Sequence, residues 1–301
     1  MAGFIFKVFG FNVESCMDLP HLPPGGALPD IRIRFGHVAW PPEEAGDSDG
    51  KPYQIEPGRA TFWVPGLAAF QISNGNEITI ESYQPGREVE LTQLLLGSAF
   101  AGILHQRGFL VLHGSTIETD QGAVVFSGDR GIGKSTLAAA FVHLGYRLLT
   151  DDVCAMDVDP RSGNPVVRPS YPLMRLHESA LGLLGLESNG LALADPDRRK
   201  FFVPLGSRFS GEPLPLRRVF DIRQDDATEP WCEKLNVKEA FLVFVRNLFR
   251  TQVLSDEKMR GQHFPMASHC TRAAGVYRLH RPKSGCGPLE LARFIESVLQ
   301  G

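Results

Sequence analysis

The apolar residues of the first 88 positions come in short runs, which turn-forming residues separate. The runs are FIFKVFGF, IRIRFGHVAW, ATFWVPGLAAFQIS and EITIESY, and between them stand PHLPPGGALPD, PPEEAGDSDGKP and an Asn-Gly-Asn turn at 74–76. Several short strands with turn signals indicate a β-rich segment, and PPEEAGDSDGKP is predicted to be an exposed loop. The pattern therefore predicts a β-rich N-terminal region over residues 1–88.

From residue 89 the pattern becomes typical of an α/β fold. VELTQLLLGSAFAGILHQR at 89–107 has the apolar spacing of a helix, which ends at Gly108. The segments that follow are predicted to be strands around one strong helix, STLAAAFVHLG. The strands are FLVLHGSTIE, GAVVFSG, YRLLTDD, VCAMDVD and PVVRPSYP. RLHESALGLLGL and VKEAFLVFVRNLFRTQ are predicted as helices, PLRRVFDIRQ and GVYRLHRP as strands, and PLELARFIESVLQ as an amphipathic terminal helix. A second region, over 89–301, is predicted to be an α/β domain.

Composition narrows the function classes. The 301 residues include 31 basic and 34 acidic side chains, a formal net charge of -3, so no charge signal for nucleic acid or an anionic membrane is present. Five scattered cysteines without a CxxC pair argue against a disulfide framework and a zinc ribbon. The N-terminus lacks the features of a signal peptide, and no apolar run reaches 18 residues. We expect a soluble, cytoplasmic protein that binds neither nucleic acid nor membrane.

The strongest motif is GDRGIGKS at 128–135, which satisfies G-x-x-x-x-G-K-[ST] between an apolar strand and a helix. Such a loop wraps its backbone N–H groups around phosphates. Lys134 is expected to reach the β- and γ-phosphates of a nucleotide, and Ser135 to hold Mg²⁺. The predicted nucleotide-binding residues are Gly128, Asp129, Arg130, Gly131, Ile132, Gly133, Lys134, Ser135 and Thr136.

Two acidic residues and a histidine are the candidate catalytic groups. Asp151 and Asp152 follow YRLLT, which is one helix and one short strand after the motif, so the chain returns them beside it. One carboxylate can then serve the metal and the other the acceptor, although such a pair also commonly turns the chain at a strand end. His113 ends the strand FLVL at the same predicted edge, where a structural and a functional role are both open.

Further basic residues are candidates for stabilising a transferring phosphoryl group. They are Arg130, Lys200, Arg217 and Arg218. The run DPDRRKF around Lys200 is also typical of a solvated surface.

Residues 113–152 resemble the catalytic core of HPr kinase/phosphorylase, and the compact order of glycine-rich loop, helix, strand and Asp pair is also similar to phosphoenolpyruvate carboxykinase. The resemblance continues more loosely through PSYPLMRLHESALGLLG and GVYRLHRP. It implies a P-loop kinase core of that type, which binds ATP with Mg²⁺ through Lys134 and Ser135. It further implies that His113 contacts the phosphate region and that Asp151 or Asp152 is the base towards a serine hydroxyl, with Asp152 also assigned to the metal.

The sequence differs from that of the bifunctional family members at two places, and both differences affect which substrate is expected. The stretch NPVVRPSYPLMRLHE stands where the bifunctional enzymes carry a glycine-rich signature used in phosphorolysis, and the first 88 residues do not look like the usual N-terminal domain. Similar stand-alone relatives phosphorylate a serine of lasso-peptide precursors. The resemblance thus predicts a serine kinase for a peptide or small protein, of the lasso-precursor type.

Alternative functions remain open at this point. They are a nucleotide-dependent switch or assembly factor without transfer, an HPr-type regulatory kinase and a small-molecule kinase. A switch GTPase and an ABC ATPase are disfavoured because the sequence has neither an NKxD nor an LSGGQ motif. Whether the chain forms a homo-oligomer also stays open.

Overall fold

Alternation of side chains along each strand explains the β-rich start of the chain. In the strand Ile31–Phe35 the two isoleucines are buried while Arg32 and Arg34 face solvent, the period of a sheet with one covered face. The computed structural model describes residues 3–39, 53–195, 198–254 and 257–300. The exposed loop predicted at PPEEAGDSDGKP lies outside these ranges.

The strands are β1 (Phe4–Val8), β2 (Phe11–Ser15), β3 (Ile31–Phe35), β4 (Tyr53–Glu56), β5 (Arg59–Val64), β6 (Ala68–Ser73), β7 (Glu77–Ser82), β8 (Leu110–Thr119), β9 (Gly122–Gly128), β10 (Leu148–Thr150), β11 (Val153–Val158), β12 (Pro165–Val167), β13 (Leu173–His177), β14 (Leu193–Asp195), β15 (Lys200–Pro204), β16 (Leu214–Asp225), β17 (Trp231–Lys234) and β18 (Gly275–Pro282). The α-helices are α1 (Glu88–Leu94), α2 (Phe100–Gln106), α3 (Lys134–His143), α4 (Glu178–Leu181), α5 (Val237–Arg246), α6 (Glu257–Ala273) and α7 (Pro288–Gln300), with a π-helical turn at Leu95–Ala99 between α1 and α2.

The chain divides into two units, Met1–Val111 with Phe249–Pro265 and Leu112–Leu248 with Met266–Gly301. The first unit contains the mixed sheet β1-β2-β3-β7-β6-β5-β4. Its β6–β7 hairpin turns through Asn74 and Gly75, whose φ angles of +52° and +67° suit a tight hairpin turn, so the predicted Asn-Gly-Asn turn is confirmed. The unit also takes in α1 and α2 and thus extends beyond the region that the sequence delimits at residue 88.

The second unit is built on the sheet β10-β8-β11-β12-β16-β18-β17, in which β9 lies between β8 and β16. β9 and β18 both run parallel to β16, so the carboxyl ends of these three strands meet at one edge. Phe126 of β9 packs on Phe141 of α3 and on Phe220 of β16, with ring centroids 5.3 and 6.2 Å apart. A small antiparallel sheet, β13-β15-β14, completes this mixed α/β unit.

Two sequence-predicted helices are shorter than expected. The first three residues of RLHESALGLLGL, from Arg175 to His177, belong to strand β13, which pairs with β15, and only Glu178–Leu181 forms an α-helix. VKEAFLVFVRNLFRTQ leaves the helix after Arg246, where the Asn247 amide bonds the carbonyl oxygen of Val243. The strand, helix and terminal-helix predictions at β9, α3, β16, β18 and α7 are confirmed.

No helix in the described ranges is both long enough and apolar enough to cross a membrane.

Replacing Phe126 by alanine is expected to lower the free energy of unfolding of the second unit by about 3–5 kcal/mol, because the ring is fully buried between Phe141 and Phe220. Urea denaturation followed by circular dichroism measures this change. Val158→Ala, at a side chain 40% exposed, is the control and should change stability by less than about 0.5 kcal/mol. Equal stability of the two variants would contradict the assignment of Phe126 to the core.

Candidate functional site

The segment 128–135, here called the glycine-rich loop, forms a sharp turn between a buried strand and a helix. β9 ends at Gly128, whose φ is +136°, and α3 begins directly after Gly133, whose φ is +100°. Gly131, between them, has φ +84°. A Cβ at Gly128 would stand 2.7 Å from the carbonyl oxygen of Ile222, so this turn requires glycine both for its backbone and for its space.

All residues predicted to hold nucleotide lie in this strand, loop and helix start. Asp129 and Arg130 are exposed, and Ser135 and Thr136 are half-buried on the first turn of α3. Among the described residues no side chain caps the N-terminus of α3. The first N–H groups of a helix have no intrahelical partners, and here no side-chain cap from the described residues satisfies them either, so together with the helix dipole they favour an anion.

Lys134 holds a charge that is almost entirely removed from solvent. Its side chain turns back on the glycine-rich loop and donates hydrogen bonds to the carbonyl oxygens of Gly128, at 2.8 Å, and Asp129, at 2.9 Å. Burial lowers the pKa of Lys134 to about 8, although the nearby carboxylates of Asp152 and Asp151 raise it. The ammonium group is thus close to both acidic residues of the predicted pair.

Asp151 is buried, and its carboxylate is hydrogen-bonded within the protein. Its side chain accepts a hydrogen bond from the Ser115 hydroxyl at 2.7 Å through Oδ1 and from the backbone N–H of Arg175 at 3.0 Å through Oδ2. Residues of β8 and β13 are therefore fixed to the turn between β10 and β11. Both oxygens are committed to donors of the protein, which is the geometry of a positioning group.

Asp152, the next residue, is held in a conformation that few side chains adopt. Its φ is +71°, in the left-handed region where Asp and Asn are tolerated better than other non-glycine residues. Its carboxylate lies 3.4 Å from Nδ1 of His113 and pairs with the guanidinium of Arg175. Strained backbone of this kind is concentrated at functional sites.

His113 lies on β8 and joins the same cluster. Its Nδ1 is 3.2 Å from the backbone carbonyl oxygen of Asp152. Burial lowers the pKa of His113, the carboxylate of Asp152 opposes that shift, and the charge of Lys134 adds to it. The sequence-predicted groups Lys134, Asp151, Asp152 and His113 are thus brought together in space.

Arg175 is a site residue that the sequence reasoning missed. It lies on β13, at the start of a segment predicted to be helical, and its side chain is 15% exposed. Burial alone would lower its pKa, but Asp152, Tyr171 and Asp151 outweigh that effect and raise it. The five residues Leu173–His177 fit a strand as well as a helix, so no local signal placed Arg175 on a strand.

A second missed group lies in the carboxyl-terminal half of β16, which is the parallel neighbour of β9. Asp221 is fully buried, and its carboxylate accepts hydrogen bonds from Arg223 at 3.0 Å and from the Asn247 amide at 3.3 Å. Arg223 also reaches Asp129 of the glycine-rich loop, at 3.4 Å. An acidic residue flanked by apolar residues, in VFDIR, was the available signal.

The four basic candidates from the sequence separate into two groups. Arg130 belongs to the glycine-rich loop, and Lys200 is near enough to Lys134 to lower its pKa. Arg217 and Arg218 lie elsewhere, because Arg218 pairs with Val124 of β9, four residues or about 13 Å before the loop begins. They line a cleft of about 860 Å³ at the other end of the strands, so their predicted role at the phosphoryl group is wrong.

The donor groups of the site fit Mg²⁺ that is held jointly with phosphates. The described residues contain no cluster of three or more His, Cys, Asp or Glu side chains able to hold a metal by themselves. Ser135 supplies a hydroxyl and Asp152 a carboxylate, and Mg²⁺ commonly takes one or two such protein oxygens beside substrate phosphates and water. Hard oxygen donors of this kind do not suit softer metals.

No protein-family model and no curated protein sequence matches the chain. Among solved structures, the Hpr(Ser) kinase/phosphatase from Coxiella burnetii is similar, with 15% identity and a TM-score of 0.32 over 63% of this chain and 88% of that chain. A TM-score of this size does not equate the two folds. The functional interpretation therefore rests on the residues and geometry of the site.

Affinity for ATP is expected to fall as the pH rises through about 8, because Lys134 loses its charge there and a neutral amine attracts phosphate weakly. An anion that binds beside the lysine raises its pKa again, so binding at pH 8.5–9 should take up a proton, whereas binding at pH 7 should not. Calorimetry in buffers of different ionisation enthalpy measures this uptake. Lys134→Arg, which stays charged, should lack it; equal proton uptake by both proteins would contradict the assignment to Lys134.

Proposed function

We propose that this chain is an ATP-dependent kinase that requires Mg²⁺ and phosphorylates a serine of a peptide or small protein. The observation that carries the proposal is the position of Asp152, held at a left-handed turn between His113 and Arg175 and close to the buried charge of Lys134. A site that only binds nucleotide needs the glycine-rich loop. A strained carboxylate beside the loop lysine is suited to accept a proton during transfer.

The residues of the chain have distinct roles in the proposed reaction. The loop N–H groups and Lys134 bind the phosphates and hold their negative charge. Ser135 and Asp152 are the residues that would hold Mg²⁺, which would neutralise further phosphate charge when bound. Asp152 accepts the proton of the serine hydroxyl while the bond from the serine oxygen to the γ-phosphorus forms and the bond from that phosphorus to the bridging oxygen breaks, so that ADP leaves.

In the proposed reaction Asp151 holds neighbouring groups in place and takes no part in proton transfer. Its buried carboxylate fixes the ends of β8 and β13 to the turn that presents Asp152. His113 steadies the Asp152 turn through its contacts with both the carboxylate and the carbonyl oxygen.

A peptide as acceptor is supported by the resemblance of residues 113–152 to the stand-alone precursor kinases. Pairing of such a peptide with the edge strand β1 of the first unit is not part of the proposal, because the outer side of β1 already hydrogen-bonds Pro23 and Gly25.

Asp152→Asn is expected to reduce the transfer rate to less than a tenth of the wild-type value, a loss of more than about 1.4 kcal/mol, since an amide accepts no proton and gives Mg²⁺ no full charge. The protein should still fold, with a lower free energy of unfolding, because the buried guanidinium of Arg175 loses its charged partner. Asp151→Asn should also lower the free energy of unfolding, by about 1–3 kcal/mol, because one of its buried donors then faces an NH₂ group. Single-turnover kinetics and urea denaturation separate the two effects, and a fully active Asp152→Asn enzyme would refute the base assignment.

Incubation with radiolabelled ATP and Mg²⁺ is expected to label a serine of a precursor peptide, with one ADP formed per phosphate transferred. A panel of precursor peptides and HPr, analysed by mass spectrometry, identifies the acceptor, and Lys134→Ala is the inactive control. Addition of inorganic phosphate should not remove the label. Labelling of HPr alone, reversed by phosphate, would instead support a bifunctional regulatory kinase, and nucleotide binding without any transfer would support a switch.

A further inference from the structure

Trp231 and His280 form a rigid aromatic pair at the same sheet edge as the glycine-rich loop. The rings are stacked with centroids 3.8 Å apart and an interplanar angle of 5°. His280 donates through Nδ1 to the carboxylate of Asp225 at 2.7 Å, and the Trp231 side chain hydrogen-bonds the same carboxylate. One carboxylate thus fixes both rings, while Trp231 stays 42% exposed.

The pair lies in line with the loop across neighbouring strands. In the sheet register, Gly128 is opposite Ile222, so the next residue along β16, Arg223, stands beside Asp129 of the loop. Arg223 is opposite His280 on β18, and His280 is opposite Trp231 on β17. Because side chains at paired positions share a face, Arg223, His280 and Trp231 form one row that leads away from the loop.

The length of this row matches a nucleotide. β9 and β17 are three strand spacings apart, about 14 Å, which is of the order of the distance between the phosphates and the base in an extended nucleoside triphosphate. Arg223, at the end of the row nearest to the glycine-rich loop, has a side chain that is 32% exposed. On the other side of β9 stand β8 and the pair Asp151 and Asp152. The phosphate acceptor and the nucleobase of the nucleotide would therefore approach the glycine-rich loop from opposite sides.

We propose that the face of Trp231 turned away from His280 stacks on the purine base of the nucleotide whose phosphates the glycine-rich loop holds. This inference rests on the proposed function, because it requires the loop to bind a nucleoside triphosphate. Base–aromatic stacking does not depend on the hydrogen-bonding edge of the base. The subsite therefore contributes affinity for a purine rather than discrimination among purines.

Comparison of ATP with inorganic tripolyphosphate tests the subsite at constant pH and Mg²⁺. Wild-type protein should bind ATP at least tenfold more tightly than tripolyphosphate. Trp231→Leu should weaken ATP binding about tenfold, equivalent to 1.4 kcal/mol, and leave tripolyphosphate binding unchanged, which also shows that the variant is folded. Trp231→Phe, which keeps a flat ring, should recover most of the loss. ATP, but not tripolyphosphate, should change the tryptophan fluorescence of the wild type, and Trp231→Phe should lack this change.

The outcomes separate the subsite from the proposed function. If tripolyphosphate binds but Trp231→Leu retains full affinity for ATP, the base subsite is refuted and the phosphate site stands. Equal wild-type affinities for ATP and tripolyphosphate refute it as well. If neither ligand binds the wild type, the glycine-rich loop is not a phosphate site and both proposals fall.

Discussion

The ammonium group of Lys134 is charged and almost without water, and the surrounding structure follows from the need to stabilise it. Burying a charge is unfavourable unless hydrogen bonds and opposite charges replace its hydration. Two carbonyl oxygens of the glycine-rich loop and the carboxylates of Asp151 and Asp152 supply that replacement. The loop must therefore turn tightly enough to aim its carbonyls inward, which the positive φ angles of its glycines permit. A bound phosphate would interact with the Lys134 ammonium group more strongly than the carbonyl oxygens of Gly128 and Asp129 do, so it could replace them as the partner of the lysine.

The division of labour between adjacent aspartates depends on one backbone conformation. On a continuing strand Asp151 and Asp152 would point to opposite faces. The left-handed turn at Asp152 ends the strand instead, so Asp151 turns into the protein, where Ser115 and Arg175 satisfy it, while Asp152 stays in the cluster with His113. A conformation that is unfavourable for most residues persists here because hydrogen bonds on both sides determine it.

The parts of the fold that could be predicted from the sequence are those decided by nearby residues. An apolar strand, glycines that permit positive φ and a run of helix formers define β9, the loop and α3 between Gly122 and His143. Asn74 and Gly75 similarly determine their own hairpin. β13 could not be predicted in this way, because five residues fit a strand or a helix and only pairing with β15 decides between them. Arg175 was missed for that reason, since its role depends on a strand partner 25 or more positions away.

Strand pairing, rather than spacing along the sequence, also decides which basic residues belong to the site. Arg217, Arg218 and Arg223 lie on one strand, and their spacing in the sequence does not reveal which end of β16 meets the glycine-rich loop. Parallel pairing with β9 settles it, because the carboxyl ends of both strands then share an edge and Arg223 alone of the three reaches that edge. Asp221 holds Arg223 from within the sheet, and Asn247 holds Asp221 from the end of α5. The buried carboxylate of Asp221 fixes the orientation of the Arg223 guanidinium, whereas the contact of Arg223 with exposed Asp129 can be exchanged for another partner. This combination suits a group that would contact a nucleotide only when one is bound.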